Sequence, residues 1–519
     1  MTSTKKSAKY RIGQDNLQKF GLDVHNPVFA ISALLILVFV AVTLMAPAAS
    51  KEVLDSAKWW AINNFDWLFM FSGNFFVVFC LLLIILPVGK IRIGGAEAKT
   101  EFSNFAWFSM LFAAGMGIGL MYWSVAEPVA YYTGWWHTPL NVVANTPEAK
   151  ELAMGATMFH WGLHPWAIYA VVGLSLAFFS YSKKLPLTMR AAFYPILKEK
   201  VWGWPGHIID LLAVFATIFG LATSLGLGAQ QVSSGLKFLF DVDNGVNTQI
   251  VIIIVITIFA LISVVRGLEG GVKVLSKFNI LLALFLVLFI IIVGPTLNII
   301  TGVGTTLSNY ASNIIDLSGF IGREDSDWFH GWTVFYWAWW IAWSPFVGIF
   351  IARISKGRTV REFIIAVLLI PTIVTSIWMS TFGLTALDQV IGKIGALTNG
   401  ITDKSLAMFQ MLENLPLSTI TSSIAIFLVI VFFVTSSDSG SLVIDSITAG
   451  GKVDSPVIQR AFWAILEGLV AIALLYVGGS DALNALQAGS IATALPFTVI
   501  LLGMCYSLYI GLRSELKSS

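Results

Sequence analysis

Long apolar runs alternate with short polar stretches along this chain, and that pattern sets the architecture before any motif is read. A run of about 18 or more apolar residues can cross a bilayer as a helix. Twelve such runs are predicted, at residues 28–45, 67–88, 107–123, 154–180, 208–234, 250–265, 278–299, 331–351, 363–386, 420–443, 461–476 and 491–510. The connections are short except at 131–151 and 302–328. Within the second, residues 307–320 alternate apolar and polar positions at helical spacing, which predicts an amphipathic helix lying in the membrane interface.

Composition agrees with this pattern. The 519-residue chain is 57% hydrophobic and 12% charged, about half of the roughly 25% charged residues of a soluble domain. A net charge of +2 leaves no footprint for nucleic acid. With the N-terminus inside, 24 of the 31 Lys and Arg residues fall in cytoplasmic segments and 7 outside, which places both termini in the cytoplasm. The stretch Met45-Ala-Pro-Ala-Ala-Ser50 resembles a signal-peptidase site, but removing the first run would spoil this alternation, so the run reads as a retained span. Cys80 and Cys505 each stand alone in an apolar run, as packing residues do, and not as a disulfide or metal pair. A phosphate-binding loop, an HExxH motif and a Cys/His cluster are all missing, so an ATP-driven pump and a zinc hydrolase lose support.

Two runs carry unusual chemistry. The eighth holds Trp332, Tyr336, Trp337, Trp339, Trp340 and Trp343 before Ser344-Pro345, where a break in the helix is predicted. Residues three or four apart share a helix face, so Tyr336 meets Trp340 and Trp339 meets Trp343. Membrane tryptophans gather at the water interfaces; a wall of them through a span serves either tight helix packing or a cage for a cation with no N–H to donate, such as a quaternary ammonium. The third run alternates Gly115, Gly117 and Gly119. Each costs about 1 kcal/mol against alanine in a helix, and the spacing is not the every-fourth pattern of close helix contacts. A second break is predicted there. The two broken spans are five apart, so the segments that they open enter the membrane from opposite sides, as an inverted repeat requires. Freed N–H groups at such breaks can hold a carboxylate and freed carbonyls a hard cation. Span ten adds hydroxyls at Thr435, Ser436, Ser437 and Ser439 around Asp438. Asp438, Asp445 and Glu467 are acids within apolar runs, which mark function by default, although an inter-helix hydrogen bond also accounts for Glu467. An embedded enzyme built on His160, His164 and Glu467 finds no converging nucleophile or metal-ligand set.

Three motifs, Gly115-Met-Gly-Ile-Gly119, Phe159-His-Trp161-Gly-Leu-His-Pro-Trp166-Ala-Ile-Tyr169 and Trp337-Ala-Trp-Trp-Ile-Ala-Trp343-Ser-Pro-Phe346, resemble the signature of the betaine/choline/carnitine transporters. The resemblance runs from about the first span to the last. It implies an all-α integral membrane protein of twelve helices with a leucine-transporter-like fold. On this reading 1–27 is a cytoplasmic tail, 28–105 holds two extra N-terminal helices, and 106–300 is the first five-helix repeat. A periplasmic connector helix at 301–330, the second repeat at 331–511 and a short cytoplasmic tail at 512–519 complete the chain. The protomers are expected to form homotrimers in the inner membrane.

By the same resemblance, Trp161, Trp166, Tyr169 and Trp340 box a trimethylammonium group, and Trp339 and Trp343 line the route below. Gly115, Met116, Gly117, Gly119 and Ser224 match the side that receives the substrate carboxylate. The carbonyls of Ala113, Met116 and Phe432 and the hydroxyls of Thr435 and Ser436 match a sodium site. Thr217, Phe346 and Tyr169 match parts of a second, where Leu221 replaces the hydroxyl expected one turn after Thr217. The implied activity is sodium-coupled symport of a betaine-like compatible solute, glycine betaine first, by alternating access and with no cofactor beyond the coupling ions. Carnitine-type exchange is an alternative; exchangers of the family carry a basic residue in place of sodium, and 208–228 contains none. Choline carriers tend to place an aspartate where Gly119 stands, and dimethylsulfoniopropionate and ectoine are further alternatives.

Overall fold

The apolar runs fold as helices because a backbone in lipid must satisfy its own hydrogen bonds. The computed structural model describes residues 10–115, 117–266 and 272–518. Its major helices, in chain order, are α1 (Val28–Met45), α2 (Pro47–Ile85), α3 (Asn104–Gly115), α4 (Ile118–Thr133), α5 (Pro147–Trp161), α6 (Leu163–Ala177), α7 (Trp204–Phe240) and α8 (Val246–Arg266). They continue with α9 (Val272–Val293), α10 (Thr296–Ser318), α11 (Phe335–Ile354), α12 (Val360–Ile391), α13 (Ser418–Thr448), α14 (Val457–Gly478) and α15 (Ala482–Ser518). Among the described residues, ten helices are long and apolar enough to cross a membrane, or eleven with one bent pair. The predicted third span does not contribute to that count, because it is divided into α3 and α4 around Met116, which lies outside the described residues.

Several expected boundaries move. The second span is the inner part of a 39-residue helix, α2, which opens on Pro47 at a position where proline's missing N–H costs nothing. The amphipathic connector begins earlier than predicted, at Thr296, and turns by 114° from the seventh span. It buries one stripe, Ile299, Gly302, Thr306, Tyr310 and Leu317, as a helix lying on the bundle should.

The eighth span corrects the reading of Ser344-Pro345, since α11 runs unbroken through Pro345. Proline there cannot donate to the carbonyl of Ile341, four residues back. Ser344 Oγ takes its place, donating to that oxygen at 2.8 Å. The irregularity lies earlier instead, in a π-turn at Phe329–Val334. The fourth span holds a break that no sequence signal marked. Gly162 (φ −99°, ψ −126°) separates α5 from α6, and Tyr310 Oη accepts the freed N–H of Leu163 at 3.0 Å. A Cβ at Gly162 would meet the Met158 carbonyl oxygen at 2.6 Å and the Tyr310 ring at 3.0 Å. Only glycine fits.

The N-terminal tail is not featureless. β1 (Asn16–Lys19) pairs antiparallel with β2 (Leu22–His25) through a turn at Phe20-Gly21, both at positive φ, the backbone that a two-residue hairpin loop requires. Asn16 Nδ2 donates to the Ala449 carbonyl at 2.9 Å, and Lys452 pairs with Asp23. Gln459 Nε2 bridges the Asp23 carbonyl at 3.1 Å and Asp445 at 3.0 Å. On the other flank His25 Nε2 meets Arg190 Nη1 at 3.2 Å. Burial and that guanidinium push the His25 imidazole down to about 3, so it packs as a neutral ring.

Candidate substrate-binding site

Trp161 closes α5, and the break at Gly162 sets it against Trp166 and Tyr169 on the first two turns of α6. These rings face α11, which packs most extensively on α6. The Trp161 and Trp340 ring centroids lie 4.9 Å apart at 75°, Tyr169 and Trp340 6.2 Å at 81°, and Trp166 and Tyr169 5.4 Å at 79°. Edge-to-face pairs of this kind suit the ring quadrupoles, and all four residues line one cavity. Trp339 stacks on Trp340 at 4.8 Å and stands edge-on to Trp161 at 6.3 Å, so it belongs to the same group of rings. Three indoles of α11 are fixed by their N–H groups: Trp340 donates to the His160 carbonyl at 2.9 Å, Trp339 to Ser224 Oγ at 3.2 Å and Trp343 to the Gly220 carbonyl at 2.8 Å.

The rings head a cavity of about 430 Å³, within the range of small-molecule sites. The same cavity is lined by Ala113, Gly117, Gly119, Ser224, Trp343, Phe346, Phe432, Thr435 and Ser436, so α3, α4, α7, α11 and α13 meet there. It reaches Arg353 and Asn279 at its other end, and no Asp, Glu or Lys is among its described lining residues. Gly115 is the last residue of α3, Met116 lies outside the described residues, and Gly117 is extended at φ −166° before α4 begins at Ile118. Among the described residues the α4 N-terminus has no side-chain cap, so its backbone N–H groups and the positive end of the helix dipole can receive an anion. Thr435 Oγ1 bonds back to the Val431 carbonyl at 2.9 Å. Thr217 is drawn elsewhere. It is buried within α7, donates to the Ala213 carbonyl at 2.7 Å and is not among the described lining residues, although Phe346 and Tyr169 are.

Gly119 is where packing is tightest. A Cβ there would stand 2.7 Å from Trp161 Cη2 and 2.8 Å from Trp339 Cη2. Overpacking of this kind costs about 1–3 kcal/mol. Gly119→Ala is therefore expected to weaken ligand binding about tenfold by displacing two indoles, read as a shift in the ligand titration of intrinsic fluorescence; an unchanged titration would show that the rings yield freely.

One residue here escaped the sequence reading. Glu127, in α4, is wholly buried and accepts from Tyr131 Oη at 2.9 Å, Trp161 Nε1 at 2.8 Å and Tyr336 Oη at 2.5 Å, with His160 Nδ1 at 2.9 Å. His160 Nε2 meets Thr333 Oγ1 at 2.9 Å, and His164 stacks on Trp337 at 5.1 Å, so both histidines are held structurally. Of the other acids, Glu467 accepts from Ser437 Oγ at 3.1 Å across α13 and α14, and Asp445 anchors Ser455 and Gln459. Asp438 Oδ2 is buried without a hydrogen-bond partner among the described residues.

With this geometry in place, residues 27–517 match the family described as BCCT, betaine/carnitine/choline family transporter. The chain belongs to that family. It is a multi-pass membrane protein of a transporter family, not an enzyme family. Among BCCT relatives, it is 62% identical to glycine betaine transporter 1 of Vibrio parahaemolyticus over 98% of both chains. It is 57% identical to a glycine betaine/proline/choline/ectoine transporter of the same organism, over 98% of this chain and 91% of that one. A glycine betaine transporter of Bacillus subtilis is 42% identical over 91% of each. Transport of betaine-type solutes is thus the activity of its BCCT relatives.

Proposed function

We propose that this chain is a sodium-coupled symporter that carries glycine betaine into the cell by alternating access. The observation that carries the reading is a box of four aromatic rings, from two facing segments, at the head of a cavity lined by no acidic side chain among its described residues. A trimethylammonium group has no N–H to offer, so a carboxylate gains little geometric advantage over ring faces; a desolvated cation–π contact contributes about 2 kcal/mol or more. The carboxylate of the zwitterion then faces Gly117, Gly119, Ser224 and the uncapped start of α4. Sodium takes the carbonyls of Ala113, Met116 and Phe432 with the hydroxyls of Thr435 and Ser436. A second ion at Thr217, Phe346 and Tyr169 is not part of the proposal, because Thr217 is not among the described residues that line the cavity and Leu221 brings no hydroxyl.

In this reading twelve spans form two inverted five-helix repeats after two N-terminal helices, and the protein works as an osmoprotective homotrimer in the inner membrane with both termini in the cytoplasm. Alternating access follows from one bundle rocking about the site. Proteoliposome uptake of labelled glycine betaine should rise with an inward sodium gradient. Equal uptake without the gradient would sink the symport, and dependence on substrate inside the vesicle would favour exchange. Thr435→Ala with Ser436→Ala should raise the sodium concentration for half-maximal uptake roughly tenfold, about 1.4 kcal/mol; no change would move the ion elsewhere. The relative named for proline, choline and ectoine supports a wider substrate range as a second reading, which competition by those three compounds tests.

A further inference from the structure

Glu127 does not line the cavity, yet Trp161, which binds its carboxylate, does, and Tyr336, which also binds it, packs behind Trp161 and Trp340. Trp161 Nε1 and Tyr336 Oη both donate to Oε2, at 2.8 and 2.5 Å, while Tyr131 Oη and His160 Nδ1 meet Oε1, each at 2.9 Å. An ionised carboxylate only accepts and has about four lone-pair sites. Four partners surround this one. Of the four, His160 carries a charge only when protonated, and no Lys or Arg pairs with Glu127 among the described residues. Arg323, the cation whose field reaches His160, is committed to Asp325 at 2.7 Å. With a neutral imidazole, a charge on this carboxylate is solvated by side-chain dipoles.

Charge-assisted bonds of this kind are about twice as strong as neutral ones, and they draw electron density from the acceptor into the donor's ring. The faces of Trp161 and Tyr336 become more negative as a result, and the ring quadrupole is what attracts a cation. Tyr336 transmits the effect further, since its ring lies 6.0 Å from Trp340 and 5.7 Å from Trp161. We propose that Glu127 is a positioning residue that also polarises the box: bonded to Trp161 and Tyr336 from behind, it sets the preference for a quaternary ammonium over an uncharged group of the same shape. The inference rests on the betaine reading above. Glu127 never touches the substrate.

The test uses the full chain in nanodiscs, with binding followed by tryptophan fluorescence. The two probes are glycine betaine and 3,3-dimethylbutanoate, in which carbon replaces the ammonium nitrogen. If wild-type protein does not bind glycine betaine, the betaine reading fails and not this inference. With binding established, Glu127→Gln is expected to lower the ratio of the two affinities about tenfold, or about 1.4 kcal/mol, by weakening the betaine complex. A merely structural role lowers both affinities together, and an unchanged ratio overturns the proposal. Should that variant not fold, Tyr336→Phe, which deletes one hydroxyl and keeps the ring, decides by the same criterion with an expected threefold fall.

Discussion

Trp340→Leu is expected to raise the KM for glycine betaine by thirtyfold or more in proteoliposomes. The indole joins the two halves of the box, edge-on to Trp161 at 4.9 Å and to Tyr169 at 6.2 Å, and its N–H ties α11 to the end of α5 through the His160 carbonyl. Leucine keeps the apolar volume in part and loses the quadrupole. A desolvated cation–π contact of about 2 kcal/mol corresponds to roughly thirtyfold at about 1.4 kcal/mol per decade. Uptake within twofold of wild type would rule out the box as the ammonium site. A melting curve on the same preparation separates lost binding from lost fold.

The largest effect on stability is expected from Asp210→Ala. Arg190 and Asp210 are both buried, 2% and 0% exposed, and the aspartate accepts from the Arg190 side chain and from its backbone N–H at 2.9 Å. Among the described residues the remaining hydrogen-bond partners of the guanidinium are His25 and His207, neither of which carries a compensating negative charge. Removing one member of a buried pair costs about 3–5 kcal/mol, because the other is left as an uncompensated charge. Thermal unfolding in detergent should show a drop of several degrees with early loss of monodisperse protein. An unshifted midpoint would mean that water reaches Arg190.

The helices were legible because lipid imposes a length and a polarity on every span. What sequence periodicity could not supply were contacts made from far along the chain. The break at Gly162 depends on Tyr310, some 150 residues away, to accept the freed N–H of Leu163. The opposite error occurred at Pro345, where proline chemistry alone argues for a break and one hydroxyl, on Ser344, repairs it. Trp161, Trp166, Tyr169 and Trp340 were identified from their motifs and do meet, whereas Thr217 was identified in the same way and does not join them. Glu127 was missed for a simple reason. The third span was predicted to end at Trp123 and the connection after it to begin at Tyr131, so an acid between them was assigned to neither, but the helix runs on to Thr133. An acid and a tyrosine one turn apart inside an apolar helix were the available signal. The hairpin at 16–25 went unread because each strand has only four residues.

The placement of Glu127 also bears on which ions can compete for the box. A carboxylate exposed in the cavity would bind any cation, and sodium or potassium would crowd it. Here the carboxylate lies behind Trp161 and Tyr336, both of which donate to it, so an ion in the cavity cannot coordinate its oxygens. Small inorganic ions hold their water too strongly to surrender it for ring faces alone. A methylated ammonium has little hydration to lose. On the proposed reading the wall sorts cations by how firmly they are hydrated, and a cell rich in potassium leaves the box free for its solute.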